Sequence, residues 1–210
     1  MILKSFPDSD LPYLLYLPEN LEAQEEWPLI VFLHGRGEGG DDLELVHLWG
    51  VPKYLDEGNE LPAIVYVPQN EKEVMWFLTE DKVLAGIDAL CEEYPINKVH
   101  LTGFSMGGHG TCYIGVNNPE RFSTISPVAL FMYPEADVTE KICVLKDKPV
   151  WVFYSEGDFI PVEHSGNVVK SLEACGATQL EVTLYDKANH TETADLAYFD
   201  EEFYQWMLQY

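Results

Sequence analysis

Lys98-Val99-His100-Leu101-Thr102-Gly103-Phe104-Ser105-Met106-Gly107 is a short apolar run that passes without a break into G-x-S-x-G. The pattern puts a serine where a strand should end and a helix begin. A serine on so sharp a turn takes a strained backbone, and only small neighbours leave room for it. The turn lifts the hydroxyl above a sheet and aims the Met106 amide at the same point in space. Gly108 and Gly110 extend the small-residue surface into the first helical turn. A strand before the motif, and the partners described below after it, point to nucleophilic catalysis.

Outward from this turn, short apolar runs alternate with longer helical patterns, which indicates an α/β fold with a mostly parallel sheet and helices on both faces. Strands are expected over 12–17, 29–34, 63–67, 98–103, 126–131, 150–154 and 180–185. Several are nearly continuous apolar runs, as strands covered on both faces should be. Helices are expected over 79–93, capped by Thr79 and stopped before Pro95, and over 105–117, 162–175 and 192–208. No repeat or linker divides the chain, so residues 1–210 read as one domain. In such a sheet the loops leaving the carboxyl ends of the strands gather on one edge, where ligands bind. Those loops are 35–42, 68–78, 105–108, 132–148, 156–161 and 187–191.

Ser105 needs a base, because a serine hydroxyl is a weak nucleophile until a neighbour takes its proton. His190 lies just beyond the last strand, on a loop of the catalytic edge. The other histidines fit less well. His34 ends an internal strand and reads as structural, His100 lies inside a strand, and His47 and His164 lie in expected helices. His109 sits four residues after Ser105 on the same helix, so its ring lies along that helix and at most lines the pocket. The base in turn needs an acceptor for its other ring N–H. Asp158, after the strand 150–154 and directly after Gly157, is favoured over Glu156 and Asp186. The oxyanion needs donors as well. His34-Gly35-Arg36-Gly37-Glu38-Gly39-Gly40 leaves the strand 29–34 with four glycines in the six positions after His34, so backbone can approach a substrate and point amides at it. The donors expected are the N–H groups of Met106 and of Arg36, with Gly37 as the rival of Arg36. This loop lacks the lysine and hydroxyl of a P-loop, and no acid follows it at the dinucleotide distance, so it does not read as a phosphate cradle.

Bulk properties narrow the partners. With 47% hydrophobic and 13% aromatic residues, 210 residues can bury a substantial core. There are 12 Lys and Arg against 36 Asp and Glu, a net charge of −24, which disfavours nucleic acid and anionic membrane surfaces. No stretch approaches the roughly 20 apolar residues of a membrane span. Residues 1–10 lack the apolar core of a secretory signal, so a cytoplasmic protein is expected. Cys91, Cys112, Cys143 and Cys175 form no C-x-x-C pair and read as buried free thiols, with neither a zinc site nor a disulfide. No metal or cofactor is called for, and oligomeric state is not readable.

The chain order Ser105, Asp158, His190 is that of α/β hydrolases. Pro12-Tyr13-Leu14-Leu15-Tyr16-Leu17-Pro18, then Pro28-Leu29-Ile30-Val31-Phe32-Leu33-His34-Gly35 with Arg36-Gly37-Glu38 and Asp41-Asp42, then Gly103-Phe104-Ser105-Met106-Gly107-Gly108, resemble the small carboxylesterases of the α/β-hydrolase superfamily. The nearest group is the prolyl-oligopeptidase-like and feruloyl-esterase-like single-domain esterases, related to dienelactone hydrolases. The resemblance spans nearly the whole chain and implies the α/β-hydrolase fold. Two positions depart from it: the family's histidine commonly follows a glycine, whereas Asn189 precedes His190, and dienelactone hydrolases use cysteine where this chain has Ser105.

With the core fold consuming 210 residues, little remains for a lid, and the longest catalytic-edge insert is 132–148. Trp76, Phe77, Phe159 and Ile160 are placed to wall a fairly open pocket. Glu38, Asp41, Asp42, Glu71, Glu73, Glu156 and Glu163 are expected to make its rim acidic and to favour neutral acyl or aryl esters as the small-molecule substrate. A thioester or short peptide would suit the same machinery. A non-catalytic binding module is the other class, disfavoured because no member of the Ser, Asp, His set is missing.

Overall fold

The alternation along β3 (Trp27–Leu33) decides the layering. Leu29, Ile30, Val31, Phe32 and Leu33 are all fully buried in the computed structural model, which describes residues 1–210. Successive side chains of a strand face opposite ways, so this strand must be covered twice. On one face Leu29, Val31 and Leu33 join a core with Val83, Ile87, Ile114, Val168 and Leu172. On the other, Ile30 and Phe32 join Val51, Leu55, Tyr198, Phe203 and Met207.

Around β3 stand β1 (Ile2–Phe6), β2 (Tyr13–Leu17), β4 (Ile64–Pro68), β5 (Ile96–Phe104), β6 (Thr124–Val128), β7 (Val150–Ser155) and β8 (Leu180–Tyr185). They form one eight-stranded sheet in the order β1-β2-β4-β3-β5-β6-β7-β8. The β1–β2 and β2–β4 pairs are antiparallel, and every other pair is parallel. Six helices cover it: α1 (Gly50–Asp56), α2 (Glu80–Glu93), α3 (Met106–Asn117), α4 (Glu163–Ala174), α5 (His190–Tyr198) and α6 (Glu201–Gln209). Helices α2, α3 and α4 supply the first core and α1, α5 and α6 the second. The α/β fold expected from the sequence is therefore the fold observed. Strands β3 and β5 pair in parallel up to Leu33↔Gly103, so the chain leaves both strands at the same level.

Several elements differ from the sequence reading. Strand β1 was not expected, because its side chains are mostly exposed and carry no apolar alternation; its backbone nonetheless pairs with β2 from Ile2↔Leu17 to Phe6↔Tyr13. The apolar run 126–131 does not stay in the sheet. Strand β6 ends at Val128, Ala129 turns out with φ 47°, and the Phe131 N–H donates to the Ser105 carbonyl at 3.2 Å. The expected helix 192–208 is two helices, because Asp200 caps a new one by accepting from the Glu202 N–H at 2.9 Å. Thr79 precedes α2 but does not cap it with its side chain; its hydroxyl donates to Asn70 Oδ1 at 2.8 Å.

The cysteine reading also needs correction. Cys143 and Cys175 form a disulfide, with Cα atoms 5.6 Å apart across a sequence separation of 32. The bond ties the 132–148 insert to the carboxyl end of α4. Spacing alone could not reveal a pair that only the fold brings together. Of the two free cysteines, Cys112 is buried as expected but Cys91 is exposed.

Candidate active site

Ser105 is the single residue between β5 and α3, with φ 59° and ψ −111°. A non-glycine residue held there carries roughly 1–3 kcal/mol of strain, and the surroundings must impose it. They do so through backbone bonds. The Ser105 N–H donates to the Val128 carbonyl at 2.9 Å, and the Ser105 carbonyl accepts from the His109 N–H at 3.1 Å and from Phe131. Glycine at 103 and 107 is a matter of space. A Cβ on Gly103 would lie 2.5 Å from the Gly107 carbonyl oxygen, and one on Gly107 would lie 1.8 Å from that of Leu33. The turn is wedged against the end of β3.

His190 opens α5 at its first residue. Asn189 accepts from the N–H groups of Thr191 and Glu192 at 3.1 and 3.0 Å, while Glu192 Oε2 accepts from the Asn189 N–H at 2.8 Å. This reciprocal cap fixes where the helix starts. From there His190 Nε2 lies 2.9 Å from Ser105 Oγ, and Nδ1 lies 2.7 Å from Asp158 Oδ2. The other carboxylate oxygen, Oδ1, accepts from the Ile160 N–H at 2.9 Å. The histidine and aspartate side chains are 12% and 3% exposed, so the line of bonds is shielded from water along most of its length. Gly157 contributes by its lack of bulk: a Cβ there would meet the Lys187 carbonyl at 2.5 Å, so the aspartate loop and the histidine loop lie backbone to backbone. The rivals Glu156 and Asp186 are exposed. Such an arrangement lets the imidazole take the serine proton while the carboxylate holds its tautomer.

One backbone donor remains free beside the serine. The Met106 N–H occupies the first helical position, where no intrahelical carbonyl can reach it. In the loop after β3, His34 is fully buried and accepts from the Asn70 N–H through Nε2 at 3.0 Å. Its proton therefore sits on Nδ1 and is donated to the Gly35 carbonyl at 2.6 Å. Burial pushes the His34 pKa down to about 4, so it is a neutral brace and not a base.

The Esterase family, described as "Putative esterase", matches residues 5–192. The chain belongs to this family. Among solved structures, a thermostable esterase superposes with TM-score 0.81 at 28% identity, covering 99% of this chain and 62% of its own. This chain thus spans less than two thirds of that esterase. A ferulic acid esterase superposes with TM-score 0.73 at 13% identity, covering 100% and 98% of the two chains. Est1E from Butyrivibrio proteoclasticus gives TM-score 0.72 at 15% identity, covering 99% and 98%. At those last two identities the likeness is one of fold. No curated protein matches in sequence.

Around the serine of this Esterase-family chain, the sequence-expected pocket residues separate into two groups. Phe159 is 77% exposed and its ring lies 4.6 Å from that of His190, with Phe104 at 4.6 Å as well. Ile160 is buried and serves through its backbone. Trp76 does not wall a pocket: it is fully buried, and its Nε1–H donates to the His34 carbonyl at 2.9 Å. His109 is also buried, bonded to the Ala136 carbonyl at 2.9 Å, with its pKa lowered by that burial. Phe77 is half-buried and packs edge-on against His109. Sequence reasoning missed Phe131, which is 37% exposed beside the serine backbone. Its only signal was an apolar run too long for the strand it was assigned to. Glu38 was expected on the acidic rim and is instead 4% exposed, accepting from the Gly35 N–H at 2.5 Å. Burial raises its pKa to about 7. Arg36 points outward and pairs with Glu73. No helix is long and apolar enough to cross a membrane.

Proposed function

We propose that the protein is a serine carboxylesterase acting on neutral acyl or aryl esters. The observation that carries this reading is the unbroken line Asp158–His190–Ser105, at 2.7 and 2.9 Å, ending on a strained strand-to-helix turn. Ser105 Oγ attacks the ester carbonyl as His190 Nε2 takes its proton. Asp158 holds Nδ1–H and steadies the imidazolium. The Met106 and Arg36 N–H groups receive the developing oxyanion, a contribution worth about 3 kcal/mol per donor. His190 then passes the proton to the departing alcohol, and water releases the acyl group by the reverse steps. Phe159 lies against the His190 ring and the part-exposed Phe131 is joined to Ser105 through its backbone, which supports an apolar acyl or aryl group lying on an open edge. Exposed Asp41, Asp42, Glu71, Glu156 and Glu163 support a preference for uncharged substrates.

Hydrolysis of p-nitrophenyl acetate and butyrate by the wild type and Ser105→Ala tests the mechanism. The variant should lose at least about 1,000-fold in kcat. Equal activity in the two proteins removes the serine mechanism. Acetyl, butyryl, feruloyl and thioester substrates compared side by side then rank the leaving groups.

A further inference from the structure

The backbone polar groups at the two ends of the 34–38 turn have partners. The His34 carbonyl takes the Trp76 Nε1–H, the Gly35 carbonyl takes His34 Nδ1–H and the Glu38 N–H at 3.4 Å, and the Glu38 carbonyl takes Gln69 Nε2–H at 2.8 Å. The Gly35 N–H is taken by the Glu38 side chain. The N–H groups of Arg36 and Gly37 are left over. The bonds at residues 34, 35 and 38 hold the two ends of the turn that carries them.

Glu38 is the unusual member of this set. It is a carboxylate with 4% of its surface exposed, and neither Lys nor Arg pairs with it. Its one side-chain partner is the Gly35 N–H, and it makes no bond to Ser105, His190 or Asp158. Burying a carboxylate for a single hydrogen bond is costly, so stability does not account for its presence. Its location does suggest a use. The Gly35 backbone that it grips sits against Phe104, since a Cβ on Gly35 would lie 3.1 Å from Glu38 Oε2 and 3.4 Å from the Phe104 ring. The Phe104 ring in turn packs on His190.

We infer that Glu38 is a positioning residue of the ester-cleaving site: its carboxylate anchors the Gly35 N–H, and so holds the 35–38 turn in the place from which the Arg36 N–H faces the Ser105 hydroxyl. The role rests on the reading of Ser105 as nucleophile. Two opposed bonds close the loop into one rigid ring, Gly35 N–H to the Glu38 side chain and Glu38 N–H to the Gly35 carbonyl. Above its pKa of about 7 the Glu38 side chain is a charged acceptor, which makes the first of these roughly twice as strong as a neutral one would. Without it the His34–Gly35 peptide loses its anchor, the turn that carries the Arg36 N–H shifts, and the oxyanion loses its second donor while the ester still binds.

Glu38→Ala and Glu38→Gln test the role through kcat and KM on p-nitrophenyl butyrate, the rate of Ser105 phosphonylation by a p-nitrophenyl phosphonate, and the melting temperature. Glu38→Ala should lower kcat and the phosphonylation rate about 10- to 100-fold, with KM changed less than about threefold. Glu38→Gln keeps an acceptor for the Gly35 N–H and should recover kcat to within about threefold of wild type. The role is overturned if Glu38→Ala keeps kcat within about twofold, or if the loss falls on KM alone. It is equally overturned if both variants lose kcat in step with melting temperature, the mark of a merely structural residue. A wild type inert toward both the ester and the phosphonate refutes the nucleophile reading, and this role with it.

Discussion

Glu38 gives the residue scale its clearest thermodynamic consequence. Burial raises its pKa from the ordinary 4.5 to about 7. Between those values the native state holds a proton that the unfolded chain has released, so the free energy of unfolding falls as pH rises. The loss is on the order of 3 kcal/mol and levels off once pH passes the folded pKa. Glu38→Gln has no charge to bury, so its stability relative to wild type should grow between pH 5 and pH 8. Urea unfolding of both proteins at each pH reads this directly, and a difference independent of pH contradicts it. His34 behaves oppositely in chemistry but alike in logic: buried and neutral, it resists protonation until the pH is near 4. Both side chains belong to the glycine loop that leaves β3 and are buried beneath it.

Elements were legible in the sequence wherever apolar periodicity and burial coincide. Strands β3, β4, β5 and β7 fell close to their expected bounds because their side chains meet the core, and β8 did so on its alternation alone, with no side chain fully buried. Strand β1 and helix α1 did not. The former is an exposed edge held by backbone bonds, and the latter is one short element with Pro52 near its start. At the site, Ser105, His190 and Asp158 were legible because each sits where a strand of a parallel sheet ends. Trp76 and Glu38 were misread because loop position says nothing about which way a side chain turns. The start of α5 was readable in retrospect from Asn189 followed three residues later by Glu192. Asn189→Ala removes that cap and should cost about 1 kcal/mol of stability. It should also lower kcat, because the first turn of α5 carries His190; thermal melts and steady-state kinetics on one preparation check both. The Cys143–Cys175 bond closes a 32-residue separation, for which the chain-entropy estimate is about 3–4 kcal/mol. Reduction, or a Cys143→Ser and Cys175→Ser pair, should lower the melting temperature by about 10 °C for a chain of this size. An unchanged melting temperature under reductant would rule out that contribution. Disulfides persist in oxidising surroundings, which runs against the cytoplasmic location expected from residues 1–10.

At the scale of the whole molecule, a net charge of −24 acts on everything that approaches. Such a field falls off within about 8 Å at physiological ionic strength, so its effect on substrate choice must depend on salt. A neutral p-nitrophenyl ester should exceed its hemisuccinate analogue in kcat/KM by at least about tenfold at low salt. Added salt should narrow the ratio chiefly by raising the anionic ester's value. A ratio near unity at low salt would mean that the acidity is spread over the surface without bearing on the site. The pairing of β3 with β5, which ends at Leu33↔Gly103, carries a different consequence. The chain spacing between the candidate nucleophile and its oxyanion loop is metered by two neighbouring strands, and one residue of a strand is about 3.3 Å. Inserting or deleting a single residue in either strand would move one half of the site past the other by more than a hydrogen bond spans. Length variation among relatives should therefore be absent from these two strands and should collect in the 132–148 insert, where the chain can grow without shifting either half.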